Sequence, residues 1–218
     1  MKGIVLSLGL PRKQRFRLPA VRPLLRRHGV TLVMAALLLT GLVLGAAYAR
    51  FADKQTLHAL DFLFTTNLEA RLSKGAPGIF CACFASDFIF LLCAYLLGVA
   101  AWGMPVVPLL VCFKGFGTGV TAGYLCLSHG LSGAGFYLLV LLPGTCLFCA
   151  VLVRFSAVAF RFSRRVFSHT CGKQMPPVSL KDALLRFSAR FLSALGIACI
   201  ASLLDTVLWT LFAGTFQF

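Results

Sequence analysis

Apolar positions in this chain gather into five stretches of about 20 residues or more, and charged positions gather between them. The stretches cover residues 29–49, 79–102, 105–127, 136–160 and 191–215. An α-helix rises about 1.5 Å per residue, so each stretch is long enough to cross a hydrocarbon core about 30 Å thick. The pattern predicts an all-α fold, a polytopic integral membrane helical bundle with about five transmembrane helices. Gly103, Met104 and Pro105 mark the break between the second and third spans, because proline disfavours helix in the residue before it. The chain then divides into a basic cytoplasmic head, residues 1–28, and a five-span membrane domain, residues 29–218. That domain includes an outer loop, 50–78, and an inner basic loop, 161–190.

Composition removes the alternative of a soluble domain. Hydrophobic residues make up 59% of the 218, charged residues only 12%, and the mean hydropathy is strongly positive. A soluble domain carries about a quarter charged residues. So little charge could not solvate the surface of a soluble fold, and the bilayer takes the place of water.

The distribution of charge gives an orientation. Lys2, Arg12, Lys13, Arg15, Arg17, Arg22, Arg26 and Arg27 precede the first span with no acid among them. Arg161, Arg164, Arg165, Lys173, Lys181, Arg186 and Arg190 lie between the fourth and fifth spans against the single Asp182. The outer loop is nearly balanced, with four basic and three acidic residues. Lys and Arg are retained on the cytoplasmic side, which places the amino terminus inside the cell and the carboxyl terminus outside. The net charge of +15 therefore sets topology and meets anionic headgroups of the lipid bilayer. The head has no glycine loop, aromatic interleaving or helix motif of a nucleic-acid reader, so no nucleic-acid partner is expected. Ala46, Ala47 and Ala49 imitate a cleavage site, but the long head and long apolar stretch favour a retained anchor.

Catalytic and metal chemistry find little to build on. Eight of the nine cysteines fall within spans, where cysteine behaves as a small apolar residue; Cys171 alone lies in a loop. Cys146 and Cys149 have CxxC spacing, yet no second pair or histidine cluster completes a zinc site. His28, His58, His129 and His169 are scattered over both sides. Six dispersed carboxylates offer no acid–base dyad, and there is no Walker motif, nucleotide fingerprint or HExxH. No enzyme activity, metal or cofactor is expected.

The charges inside the spans are more informative. A lysine near the bilayer centre costs roughly 2.5–3.5 kcal/mol on insertion scales and needs a partner or a purpose. Lys114 lies roughly 15 Å from the inner end of span three, and Asp87 roughly 12 Å from the outer end of span two. Their depths agree within a few ångströms across the core, and the two spans form a hairpin, so Asp87 and Lys114 are expected to pair. Asp205, in span five, is the rival partner. A packing-specific ion pair and an ion or substrate path both fit these residues.

After Lys114 the sequence turns to glycine. Gly115, Gly119 and Gly123 recur every four residues on one helical face, where small side chains permit close helix approach in a membrane. This face reads as the packing spine of the bundle or as a surface for a homo-oligomer. A broken helix around a transport site would also be glycine-rich, but the chain has no internal repeat. In the outer loop, Leu57, Leu60, Phe64, Leu68 and Leu72 form an apolar stripe at helical spacing, and Thr66 with Glu69 fits a capping box. That stripe could rest on headgroups or dock a partner. On the inner side, Pro176 and Pro177 end one segment, and Ser179 with Asp182 can cap a helix leading into span five.

These residues carry a resemblance. The run from Leu96-Leu97-Gly98 through Trp102-Gly103-Met104-Pro105, then Leu109 to Lys114-Gly115 and Gly123, resembles the stage II sporulation protein M family. Leu142-Pro143 and the Arg186-Phe187 region fit it as well, and the likeness covers about residues 29–215. The resemblance implies a mother-cell membrane component that holds two peptidoglycan hydrolases, the stage II sporulation D and P proteins, during engulfment of the forespore. The partners would carry the hydrolytic chemistry. Two departures stand out: a longer basic head, and Gly144-Thr145-Cys146 where the broader superfamily has polar residues including His and Glu. The second departure weakens a transport reading. The expected function is a non-catalytic membrane scaffold for cell-wall hydrolases, with a small membrane transporter or permease subunit using Lys114, Asp87 and Asp205 as the alternative. A third reading is a structural membrane protein outside sporulation.

Overall fold

The computed structural model describes residues 21–52, 75–170 and 180–212. All regular structure among them is helical, in order α1 (Val21–Phe51), α2 (Ala76–Val99), α3 (Gly103–Phe136), a π turn (Tyr137–Leu141), α4 (Leu142–Thr170) and α5 (Leu180–Phe212). Among the described residues, five apolar segments are long enough to cross a membrane: His28–Phe51, Ala76–Val99, Gly103–Ser128, Gly130–Ser168 and Lys181–Phe212. The outward faces are apolar as well, with Leu39, Val43, Leu109, Leu192 and Ile200 exposed. A soluble protein would not leave such a surface uncovered. The chain is an all-α, multi-pass membrane protein.

The chain breaks between the second and third spans at residues 100–102, not at Gly103, Met104 and Pro105, which already belong to α3. Pro105 is tolerated because it falls in the first turn, where the backbone N–H has no intrahelical acceptor. Pro77 occupies the same kind of position in α2, which starts at Ala76. The fifth helix starts at Leu180, well before its apolar stretch.

Spans three and four join at Gly130, whose φ of 56° and ψ of −129° lie where side-chain-bearing residues are rarely found. From there the chain returns antiparallel to span three. Phe136 shares a cluster with Leu125 at one end of the bundle, Phe148 faces Lys114 in the middle, and Ser163 meets Ala100 at the other end. A Cβ at Gly130 would meet nothing within 4 Å. Gly130→Ala is nevertheless expected to destabilise the protein by about 1–3 kcal/mol through backbone strain alone. Gly196→Ala, at a helical glycine with equally open surroundings, should be neutral or stabilising; thermal unfolding of the two variants in detergent checks the contrast.

The π turn precedes Pro143, which lacks an N–H and whose ring would strike the carbonyl four residues back in a regular α-helix. Widening the helix there, with the Leu142 N–H donating to Tyr137 O, relieves the conflict. The main core draws on all five helices, around Met34, Leu91, Val107, Val111, Phe148, Leu152 and Phe187. Three buried hydroxyls are satisfied locally: Thr121 donates to Gly117 O, Ser202 to Ala198 O and Thr206 to Ser202 O, each four residues back.

Candidate functional site

The closest helix pairing is between α1 and α3, and glycines on both helices make it. Every position that matters recurs at a spacing of four: Gly41, Gly45 and Ala49 on α1, Gly115, Gly119 and Gly123 on α3. A Cβ at Gly115 would strike Leu38 O, one at Gly119 Leu42 O, and one at Gly45 Phe116 O. At Gly123 it would come within 2.6 Å of Ala49 Cβ. The atoms in the way at the first three positions are backbone carbonyls, so the helix axes themselves would have to separate. This face of α3 is covered by α1 within one chain. Gly41 and Gly45 were not singled out from the sequence, although their spacing repeats that of the α3 glycines.

The same helix turns a second face toward α2 and α4, and Lys114 lies on it. Asp87 stands 12 residues before the end of α2 and Lys114 11 residues after the start of α3, which puts both about 17–18 Å from the turn. Lys114 Nζ is 3.5 Å from Asp87 Oδ1. That distance exceeds a short charge-assisted hydrogen bond, so the attraction is mainly coulombic. The ammonium also lies 4.6 Å from the ring centroid of Phe90, on α2, and 4.9 Å from that of Phe148, on α4. Aromatic faces are negative and attract a cation most strongly where water is excluded. The side chains of Lys114 and Asp87 are only 12% and 11% exposed, so the pair is a largely desolvated junction of three helices.

Asp205 is placed elsewhere, with its carboxylate seated directly on Gly144 of α4, where any Cβ would collide with it. Its Oδ1 is buried. Gly144 was read from the sequence as a departure from the polar residues of the superfamily. Here its missing side chain makes room for an acid on the neighbouring helix.

A third cluster sits near the α2–α3 turn. The Phe187 ring stacks on Phe162 at 4.6 Å, on Tyr95 at 5.1 Å and on Phe155 at 5.5 Å, and it fills the space left open by Gly98. Tyr95 and Ser188 share a 3.0 Å hydrogen bond. Among the described residues no group of three or more His, Cys, Asp or Glu could hold a metal ion, and no disulfide joins the cysteines. Leu57, Leu60, Phe64 and Leu68 lie outside the described residues.

No curated protein and no solved structure matches this chain. A family model does match, that of Stage II sporulation protein M, over residues 32–213. The matched stretch takes in the glycine seam, the Lys114–Asp87 pair and the Gly144–Asp205 contact, running from within α1 to the end of α5. With the greater part of its length inside that match, four spans whole and the first from residue 32 onward, the chain belongs to the stage II sporulation protein M family.

Proposed function

We propose that this protein is a non-catalytic membrane scaffold in endospore formation that recruits and anchors peptidoglycan hydrolases of the stage II sporulation D and P type during engulfment. The family match over residues 32–213 carries this reading. The amino terminus and the basic loop lie in the mother-cell cytoplasm, and the outer loop faces the wall, where the hydrolases work. The role of a scaffold is to hold its partners in one place, which needs a rigid body and a docking face. Backbone-close packing of α1 on α3 supports the first, and the apolar stripe at Leu57, Leu60, Phe64 and Leu68 is the proposed docking face.

The pair of Lys114 and Asp87 belongs to the rigid body in this reading. Rings on two sides of the ammonium favour a structural junction over a wet path for ions. Affinity capture of the tagged protein from solubilised membranes of sporulating cells tests the scaffold directly. D- and P-type hydrolases should be recovered with the wild type and lost when Leu57, Leu60, Phe64 and Leu68 are all changed to serine. Capture of a nucleotide-binding subunit without any wall enzyme would sink the scaffold and support a permease.

A further inference from the structure

The basic end of the bundle contains a cavity of about 350 Å³ between α4 and α5. Arg161 and Arg165 line it from α4, Arg186 and Arg190 from α5. A spacing of four puts both members of each pair on one face of their helix, so each wall presents two guanidinium groups. Phe162 and Phe187, buried and stacked on one another, supply an aromatic part of the lining. All four arginines are exposed, and no ion pair among the described residues engages them. Asp182 is the only acid between positions 161 and 190. Four like charges around one cavity repel one another, and a bound anion would turn that repulsion into attraction.

The height of the cavity in the membrane narrows the choice of anion. Ser163, between Arg161 and Arg165, donates a 2.8 Å hydrogen bond to Ala100 O in the α2–α3 turn. Phe187, next to Arg186, rests against Gly98 just before that turn. The arginines therefore lie level with the turn. The 24 residues of α2 span about 36 Å, more than the roughly 30 Å hydrocarbon core, so the turn reaches the headgroup layer. Trp102, exposed in the same turn, is the residue type that gathers at that interface.

We propose that this cavity binds the phosphodiester headgroup of an anionic phospholipid from the surrounding leaflet. Planar guanidinium groups match phosphate oxygens two at a time, and basic pockets between transmembrane helices on the cytoplasmic side suit such headgroups. A free phosphate offers the same oxygens but lacks the chains that hold a lipid at this height.

The test uses the full chain in nanodiscs of phosphatidylcholine doped with cardiolipin, with retained cardiolipin measured by native mass spectrometry. Changing Arg161, Arg165, Arg186 and Arg190 together to glutamine should lower retention about tenfold or more. Changing Arg12, Lys13, Arg15 and Arg17 to glutamine removes the same charge from the head and should leave retention unchanged. Equal losses in the two variants, or no loss in the first, would overturn the site. A set with all four cavity arginines changed to lysine keeps the charge and guards against misfolding. It should still lose retention several-fold, because lysine cannot make the paired contact; full retention would reduce the site to diffuse attraction. Inorganic phosphate should fail to displace cardiolipin from the wild type, and displacement would make this a site for a soluble anion instead.

Discussion

Replacing Gly119 by leucine should separate α1 from α3 and cost at least about 3 kcal/mol, the upper end of what overpacking costs when side chains alone have to move. Here they cannot be the ones to move. The leucine would be built against Leu42 O and, within 2.9 Å of its first carbon, against Ala46 N, both main-chain atoms of α1. Turning to another rotamer does not help, because the clash begins at Cβ. Separation would also remove the contacts at Gly41, Gly45 and Gly115, since one helix cannot yield at a single residue. The expected result is a several-fold fall in accumulated protein and a lowered unfolding midpoint in detergent. Gly196→Leu, at a glycine with nothing near it, should have little effect on either. If Gly119→Leu accumulated and unfolded like the wild type, the seam would not be holding the bundle together.

Removing one member of the Lys114–Asp87 pair should be as damaging. Taking away a single partner from a buried ion pair costs about 3–5 kcal/mol, because the charge left behind has neither water nor a counter-charge. Asp87→Leu would strand the ammonium between Phe90 and Phe148, whose faces offset only part of the loss. Lys114→Met would leave the buried carboxylate without its ammonium. Combining the two replaces the pair by apolar side chains of similar volume, which is often neutral or stabilising. The expected order of unfolding midpoints places the double variant above both single ones, and under the proposed scaffold function the double variant should still capture wall hydrolases. A double variant that is stable but fails in sporulation would show that the charges work in transport or signalling rather than packing. The exchange of the two charges, Asp87→Lys with Lys114→Asp, should recover part of what either single reversal loses. Its failure to do so would remove support for direct pairing.

The spans could be read because a bilayer demands about 20 apolar residues in succession, a condition that no tertiary contact relaxes. Depth could be read for the same reason: equal distances from a hairpin turn bring Lys114 and Asp87 to one level before any packing is known. What surrounds them could not. Phe148 reaches the ammonium from α4, a helix more than thirty residues further on, and nothing local to Phe148 announces it. Gly41 and Gly45 carry the same spacing as the glycines of α3, but spacing alone does not say which two helices meet. Proline misled in one place. Pro105 looked like the break itself, yet the first turn of a helix tolerates it, and the turn lies just upstream. Gly130 was invisible as a corner because its need for glycine lies in a dihedral angle, and a glycine among others gives no sign of it.

The partnership of α1 with α3 also has a history within each round of synthesis. Helix α1 leaves the ribosome first, while its glycine-matched partner is not complete until Gly123 has been made, more than seventy residues after Phe51. At roughly 5–20 residues per second that interval is on the order of ten seconds. During it the glycine face of α1 waits without the helix that will cover it. Its freedom from charge between residues 29 and 49 is what makes the wait tolerable.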